Sequence, residues 1–345
     1  MYNKNISIRT INLNRVSERK EVQDFLNKHD LLLEKDVDYT LGVYDDDCMI
    51  GTGSLSKNVL KCIAINSEYQ GEGISNKIIS LLINEQYQRG NTHLFIFTKP
   101  ENKNIFEDMG FKEIASVDNK VSLLENDPNG IEGYIDNIKL KMKQGTIISS
   151  IVMNCNPFTL GHQYLIEKAS KCSDVVHIFL VWEDRSIFPN EIRLKLLEEG
   201  TRHLDNIVIH KGKDYIISNS TFPSYFLKEK NSVVKVHAML DIEIFGKYIT
   251  PALGINRRIV GEEPNDEVTR EYNETMKELL PKYGIDFIEI PRLASGEVVI
   301  SASKVRQLIK EDKIEMLKGL LPMTTYKYLE SEEAKPIIDR IKKDI

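Results

Sequence analysis

Thr159, Gly161 and His162 stand close together at one junction, after an apolar run and before a helical one. Residues 147–153 read as a strand, Asn154-Cys155-Asn156-Pro157-Phe158-Thr159-Leu160-Gly161-His162 as the turn, and 163–171 as the helix. A hydroxyl and an imidazole three residues apart at a helix start can face one pocket. The positive end of that helix suits the phosphates of a nucleotide. Pro157 fixes the turn, and Gly161 permits close backbone approach to a ligand. Further along, Ile300-Ser301-Ala302-Ser303-Lys304-Val305-Arg306 opens another helix. The hydroxyls of Ser301 and Ser303 and the first-turn N–H groups make an anion cradle, to which Arg306 adds a charged donor one turn inward. Either motif alone also fits an ordinary capped turn. The pair is more informative, because both open helices on one alternating pattern.

That pattern is the frame that must position them. From Thr146 onward strands are expected at 147–153, 175–181, 207–210, 233–237, 258–261 and 286–290. Helices lie between them at 162–172, 190–202, 242–250 and 266–280, with helical pieces at 303–310, 312–320 and 324–343. Apolar strands alternating with helices indicate βαβ units and a doubly wound parallel sheet. In such sheets ligands bind at the carboxyl ends of the strands.

The earlier part has a different grammar. A helix is expected at 17–27, strands at 39–44, 48–54 and 60–65, a helix through Leu82 and Ile83, a strand at 94–98, and a short helix at 104–109 closed by Gly110. Strands come first as a meander, so an antiparallel α+β domain is expected. The turn-rich Asn126-Asp127-Pro128-Asn129-Gly130 and the basic run before Gly145 place the boundary near 143–146, giving domains 1–143 and 146–345.

The chain has 345 residues, which suggests about two domains. Hydrophobic residues are 41% and charged residues 28%, which excludes disordered and fibrous classes. Lys and Arg total 46 against 52 Asp and Glu, a net charge of −6 that argues against broad nucleic-acid binding. The most apolar stretch, 146–153, is far short of the roughly 20 residues that span a bilayer, and the N-terminal residues show no secretory pattern. Cys48, Cys62, Cys155 and Cys172 form no metal-type spacing, so free thiols in a reducing cytoplasm are expected.

The two helix-opening motifs resemble the T/HxGH and ISxSxxR signatures of the nucleotidylyltransferase superfamily. The resemblance implies that His162 contacts an α-phosphate, that Thr159 takes the place of the first His, and that Ser301, Ser303 and Arg306 hold the β- and γ-phosphates. The segment Phe188-Pro189-Asn190-Glu191-Ile192-Arg193 resembles the start of the superfamily's next helix and adds Arg193. Met153 stands where the superfamily often has Gly. The turn through Asn154, Asn156, Pro157, Phe158 and Gly161, together with 248–255 and Val260-Gly261-Glu262-Glu263-Pro264, is similar to the citrate lyase ligase family, also called citrate lyase synthetase. That adds Met153, Gly261 and Glu262 to the expected ATP site.

In the first half, Gln70-Gly71-Glu72-Gly73-Ile74-Ser75 resembles the Q/R-x-x-G-x-G/A loop of GNAT acetyltransferases, with Ser75 where Gly or Ala is usual. It implies a dock for a coenzyme A-like pyrophosphate on Gln70, Gly71, Gly73 and Ser75. The whole resemblance therefore implies an α/β chain: a GNAT-like α+β domain, then a Rossmann-like nucleotidylyltransferase domain with a parallel sheet. It implies a ligase that uses ATP, magnesium and acetate. Its partner is the citrate lyase acyl carrier subunit, whose dephospho-coenzyme A-derived thiol it acetylates through acetyl-adenylate. Neither nucleic acid nor membrane is expected as a partner. The alternatives are another adenylyltransferase, acting on nicotinamide mononucleotide or phosphopantetheine, and a non-enzymatic nucleotide sensor.

Overall fold

The computed structural model describes residues 5–182, 186–216, 222, 225, 230–263, 266–295 and 298–343. Pro264 of the 260–264 segment lies outside them. The chain divides into two compact units, 1–134 with 222–236, and 135–221 with 237–345.

The first unit contains β1 (Ile6–Thr10), α1 (Val16–Asn27), β2 (Tyr39–Asp45), β3 (Cys48–Ser56), β4 (Val59–Ile65), α2 (Ile74–Gln88), β5 (Phe95–Thr98), α3 (Lys103–Glu107), β6 (Lys112–Val117) and β7 (Val121–Glu125). The seven strands lie in the order β1-β2-β3-β4-β5-β7-β6. All neighbours are antiparallel except β4 and β5, which pair only through Val59–Phe95 and Leu60–Ile96. The expected meander is present, extended by β1, β6 and β7. Ile74, Ile78 and Leu82 recur every fourth residue, so α2 lays one apolar stripe on Leu41, Val43, Leu55 and Leu60 of the sheet. From the later segment that belongs to this unit, buried Tyr225 donates its hydroxyl to the Phe97 carbonyl (2.7 Å), and Phe222 meets the Phe97 ring edge-on.

α4 (Gly130–Lys139) runs across the division between the units. The second unit continues with β8 (Ile148–Met153), α5 (Leu160–Lys171), β9 (Val175–Leu180), α6 (Asn190–Thr201) and β10 (Ile207–Lys211). There follow α7 (Lys230–Ile244), which also crosses the division, α8 (Thr250–Leu253), β11 (Arg257–Gly261), α9 (Glu267–Leu279) and β12 (Asp286–Ile290). A two-stranded hairpin, β13 (Ala294–Ser295) and β14 (Val298–Val299), leads to α10 (Ala302–Lys310), α11 (Met323–Leu329) and α12 (Lys335–Lys343). The strand order is β10-β9-β8-β11-β12, parallel throughout.

One expected strand is absent. Residues 233–237 lie inside α7. Two adjacent valines read locally as strand, but Val236, Leu240 and Ile244 are buried at four-residue spacing, so the longer helical period wins. The 248–255 segment forms a π-turn (Phe245–Ile249) and α8, ending at Gly254 in the left-handed region.

β8 is central, and side chains pin its start. Asp174 accepts from the amides of Thr146 (2.7 Å) and Ile147 (2.8 Å). Asn256 accepts from the Ile148 amide (3.1 Å) and donates to the Thr146 carbonyl (2.7 Å). At the other end of β8, fully buried Phe158 anchors the turn against α6, where a Cβ on Gly200 would lie 2.4 Å from the Phe158 ring. Gly200→Ala should therefore lower stability by about 1–3 kcal/mol through overpacking. In urea titrations, Gly200→Ala with Phe158→Leu should cost less than the sum of the two single changes, because the smaller side chain vacates the clash.

Candidate active site

A cavity of about 890 Å³ opens in the second unit. Its lining includes Val152 and Met153 at the end of β8, Val260 and Gly261 at the end of β11, and Ile290 at the end of β12. The chain winds from β8 to β9 and β10 on one side and reaches β11 and β12 on the other. The cavity thus sits at the switch point of the sheet, where crossovers diverge and strand ends leave a crevice.

α5 and α10 both present their starts to this cavity. Thr159 caps α5: its hydroxyl oxygen accepts from the His162 amide (3.4 Å). The Thr159 amide donates in return to Nδ1 of His162 (3.0 Å), and the Thr159 hydroxyl lies 2.9 Å from the same nitrogen. An imidazole nitrogen that accepts from a backbone N–H carries no proton. In the neutral ring the proton is therefore on Nε2, which is left as a donor. Burial, aided by the positive charge of Arg292, pushes the His162 pKa down to about 4. The ring stacks 5.8 Å from Phe158 at 16°.

Ser301 caps α10 in the same way, accepting from the Lys304 amide (3.2 Å), and its oxygen lies 3.0 Å from that of Ser303. Arg306 donates through Nη1 to the Asn156 carbonyl, which ties α10 to the turn after β8. Burial lowers its pKa from a high ordinary value, and the guanidinium stays charged. Gly161 lines the cavity and also serves packing: a Cβ there would lie 3.0 Å from the Ile300 carbonyl, so the glycine lets the two helix starts meet.

The cavity gathers Met153, Asn154, Asn156, Thr159, Gly161, His162, Gly261, Ser301, Ser303 and Arg306 from the expected residues. It does not gather Pro157, Phe158, Arg193 or Glu262. Pro157 follows a cis peptide bond and is buried with Phe158 under the turn. Arg193, expected as a further ATP-site residue, is fully buried and lies outside the cavity lining. Its Nη1 donates to the Asn154 carbonyl (2.7 Å), Asn154 Oδ1 (2.6 Å) and the Val181 carbonyl (2.7 Å), and its Nε donates to the Phe188 carbonyl (3.0 Å). It is a strut that holds the turn. Glu262 is exposed, whereas its neighbour Glu263 lines the cavity and pairs with Arg292.

Sequence reasoning missed the wall formed by His237, Arg258, Asp266, Thr269, Tyr272 and Met276. One signal was available. Arg258 lies near the start of a strand that is paired on both sides and leads into Ile259 and Val260, a costly place for a cation.

In the first unit, Gln70–Ser75 forms the approach to α2. Gly71 (φ 84°) and Gly73 (φ 76°) occupy the left-handed region, and neither would meet any atom with an added Cβ. Conformation, not packing, requires glycine there. Gly73 is the N-cap and offers no side chain, so the first-turn N–H groups of α2 have no capping oxygen from it. Gln70 is exposed and Ser75 half-buried beside them.

The fold joins an acetyltransferase-type domain to a parallel α/β domain. A GNAT acetyltransferase profile matches residues 15–122, and a profile described as the citrate lyase ligase C-terminal domain matches residues 148–329. The chain is 40% identical over 316 residues to the citrate (pro-3S)-lyase ligase of Escherichia coli, covering 90% of each chain. It is 38% identical over 315 residues to that of Klebsiella pneumoniae (90% of this chain, 92% of the other). For Haemophilus influenzae the match is 39% over 317 residues (90% and 94%). The chain belongs to the citrate lyase ligase family. Among the described residues, no helix is long and apolar enough to cross a membrane.

The capping arrangement predicts a titration. His162 has a folded-state pKa below the ordinary value of 6.5, so its contribution to stability is complete above that value. That contribution is lost as pH falls from 6.5 toward about 4. In ¹⁵N-resolved NMR spectra, His162 should stay in the neutral Nε2–H form at pH 6. An imidazolium signal there, or the Nδ1–H tautomer, would contradict the capping geometry.

Proposed function

We propose that this protein uses ATP to activate acetate as acetyl-adenylate and then passes the acetyl group to the thiol of the citrate lyase acyl carrier subunit. A carboxylate oxygen of acetate attacks the α-phosphorus, and the bond from that phosphorus to the bridging oxygen breaks, releasing pyrophosphate. The carrier thiolate then attacks the acetyl carbon, and AMP leaves with the former carboxylate oxygen. Acetate is already ionised, so the first step needs no general base. It needs alignment and donors placed where negative charge builds.

The observation that carries this reading is the convergence of two helix starts and a neutral Nε2–H donor on one switch-point cavity. His162 suits the α-phosphate, since a neutral imidazole held by its own helix cap donates without reorganising. Ser301, Ser303 and Arg306 suit the β- and γ-phosphates. Among the described residues, no group of three or more His, Cys, Asp or Glu could hold a metal ion. Magnesium would arrive with the triphosphate, since it is commonly held by substrate phosphates and one or two carboxylates rather than by an all-protein cage.

The N-terminus of α2 supports a second role, as the dock for the carrier's prosthetic group. Its uncapped amides suit the pyrophosphate of a dephospho-coenzyme A derivative. We place the protein in the cytoplasm, where the free, exposed thiols of Cys48 and Cys172 stay reduced.

Pyrophosphate release should require acetate and be absent with nicotinamide mononucleotide or phosphopantetheine in its place. Activity that depends on either of those, with no effect of acetate, would assign another adenylyltransferase, and no turnover with any of them would leave a nucleotide sensor. His162→Ala should cut release by about 10² or more, and Arg306→Ala should chiefly raise the ATP requirement. For the dock, calorimetry with dephospho-coenzyme A should show binding that Gly73→Val weakens. Equal binding by both proteins would remove this loop from the function.

A further inference from the structure

Arg258 lies on β11, an interior strand of the parallel sheet, with Ser150 of β8 opposite it on one side and Phe287 of β12 on the other. Its side chain lines the cavity yet is only 4% exposed. Among the described residues it makes no hydrogen bond or ion pair, and Nε and Nη1 are sealed from solvent with no partner. The guanidinium lies 4.6 Å over the Phe245 ring. Asp241 and Tyr272 favour its charge from a distance, but the Tyr272 hydroxyl donates to the Asp241 carboxylate. A buried cation without hydrogen bonds is costly, and the Phe245 ring and the nearby Asp241 offset only part of that cost, because burial still lowers its pKa. Arg193 in the same unit shows the contrast, since its buried guanidinium donates to three carbonyls and one amide oxygen among the described residues.

We infer that Arg258 is the receptor for the carboxylate of the acid that is activated. This rests on the proposed adenylation. The ligand must be an oxyanion, which leaves a carboxylate or a phosphate. The phosphate donors come from α5 and α10, on His162, Ser301, Ser303 and Arg306. Arg258 comes from β11, and its neighbours in the cavity lining include Tyr272 and Met276 of α9 and His237 of α7. A single cation set among an aromatic ring, a thioether and a phenol suits a short monocarboxylate with a small apolar tail. A hydrogen bond to one carboxylate oxygen holds the plane of the acid and leaves the other oxygen for attack on phosphorus. Arg258 is a binding residue here, and it takes no proton in the step.

The test is a split of kinetic constants combined with a stability measurement. In pyrophosphate-release assays, Arg258→Met and Arg258→Lys should raise the KM for acetate by about tenfold or more, the worth of one hydrogen bond to a charged group. The KM for ATP should stay within about twofold, since no phosphate contact is lost. Arg258→Met should keep or raise Tm, because it removes a buried charge that has no partner. Acetate at constant ionic strength should raise the Tm of the native protein and leave that of Arg258→Met unmoved. A rise in the KM for ATP with acetate unaffected would assign Arg258 to the nucleotide and overturn the inference. So would a large drop in Tm with the KM for acetate unchanged, which would make Arg258 structural. If the native protein shows no acetate-dependent turnover, the adenylation reading falls by itself. Arg258 is then judged by the Tm shifts, and an equal acetate effect in both proteins rejects it.

Discussion

The second unit is organised around a contact with no side chain in it. The Ile300 carbonyl lies only 3.0 Å from where a Cβ on Gly161 would stand. This lets α5 and α10, far apart in sequence, bring their first turns together. Each helix start carries about half a positive charge from its aligned peptides. Placing two of them on one crevice creates an electrostatic site before any charged side chain is counted. The surrounding structure serves that placement. Phe158 and Arg193 fix the turn from beneath, Arg306 ties α10 to the Asn156 carbonyl, and the Leu160 amide donates to Leu320 in the C-terminal helical tail (2.9 Å). The tail is part of the site's foundation, because Leu317, Leu320, Tyr326 and Ile337 share a core with Ile166 and Phe188.

The capping of α5 has a chemical consequence. Most helix caps spend a side chain on a backbone amide and nothing more. Here the imidazole returns the bond, and that fixes which of its nitrogens bears the proton. The same contact that stabilises the helix start sets the tautomer, and burial keeps the ring neutral. Structure and proposed chemistry thus depend on the same three atoms, the Thr159 amide nitrogen, the Thr159 Oγ1 and the His162 Nδ1. A substitution at Thr159 therefore acts on both at once.

Much of this was legible in the sequence, for reasons of distance along the chain. The strand–turn–helix units that carry Thr159, His162, Ser301 and Ser303 are local, so strand pattern, cap residues and motif spacing lie within a dozen residues. The antiparallel meander of the first unit was legible for the same reason, through β2, β3 and β4. What failed involved tertiary context. The valines at 233 and 234 read as strand because the local pattern does not reveal that the apolar period continues through Ile244. Arg193 read as a site residue because an Arg near a helix start looks alike whether it points outward or into the turn. Glu262 and Glu263 differ by one residue, and only the end of β11 decides which of them faces the crevice. β1 has almost no buried side chain, so its pairing with β2 rather than an apolar pattern of its own makes it a strand.

Arg193 and Arg258 together show how far a physical reading reaches beyond pattern. Both are buried, both lie near the switch point, and neither is distinguished from the other by residue type. Their partners separate them. Among the described residues Arg193 donates to three carbonyls and one amide oxygen, so its charge is offset within the fold and its removal would leave those acceptors stranded. Arg258 has a ring beneath it, Asp241 nearby and no acceptor bonded among the described residues, so its charge is only partly offset within the fold. An interior that carries such a cost on its central sheet is arranged for a state of the protein in which something else completes it. The first arginine belongs to the energetics of folding and the second to those of binding, and that difference lies in the hydrogen bonds each one makes.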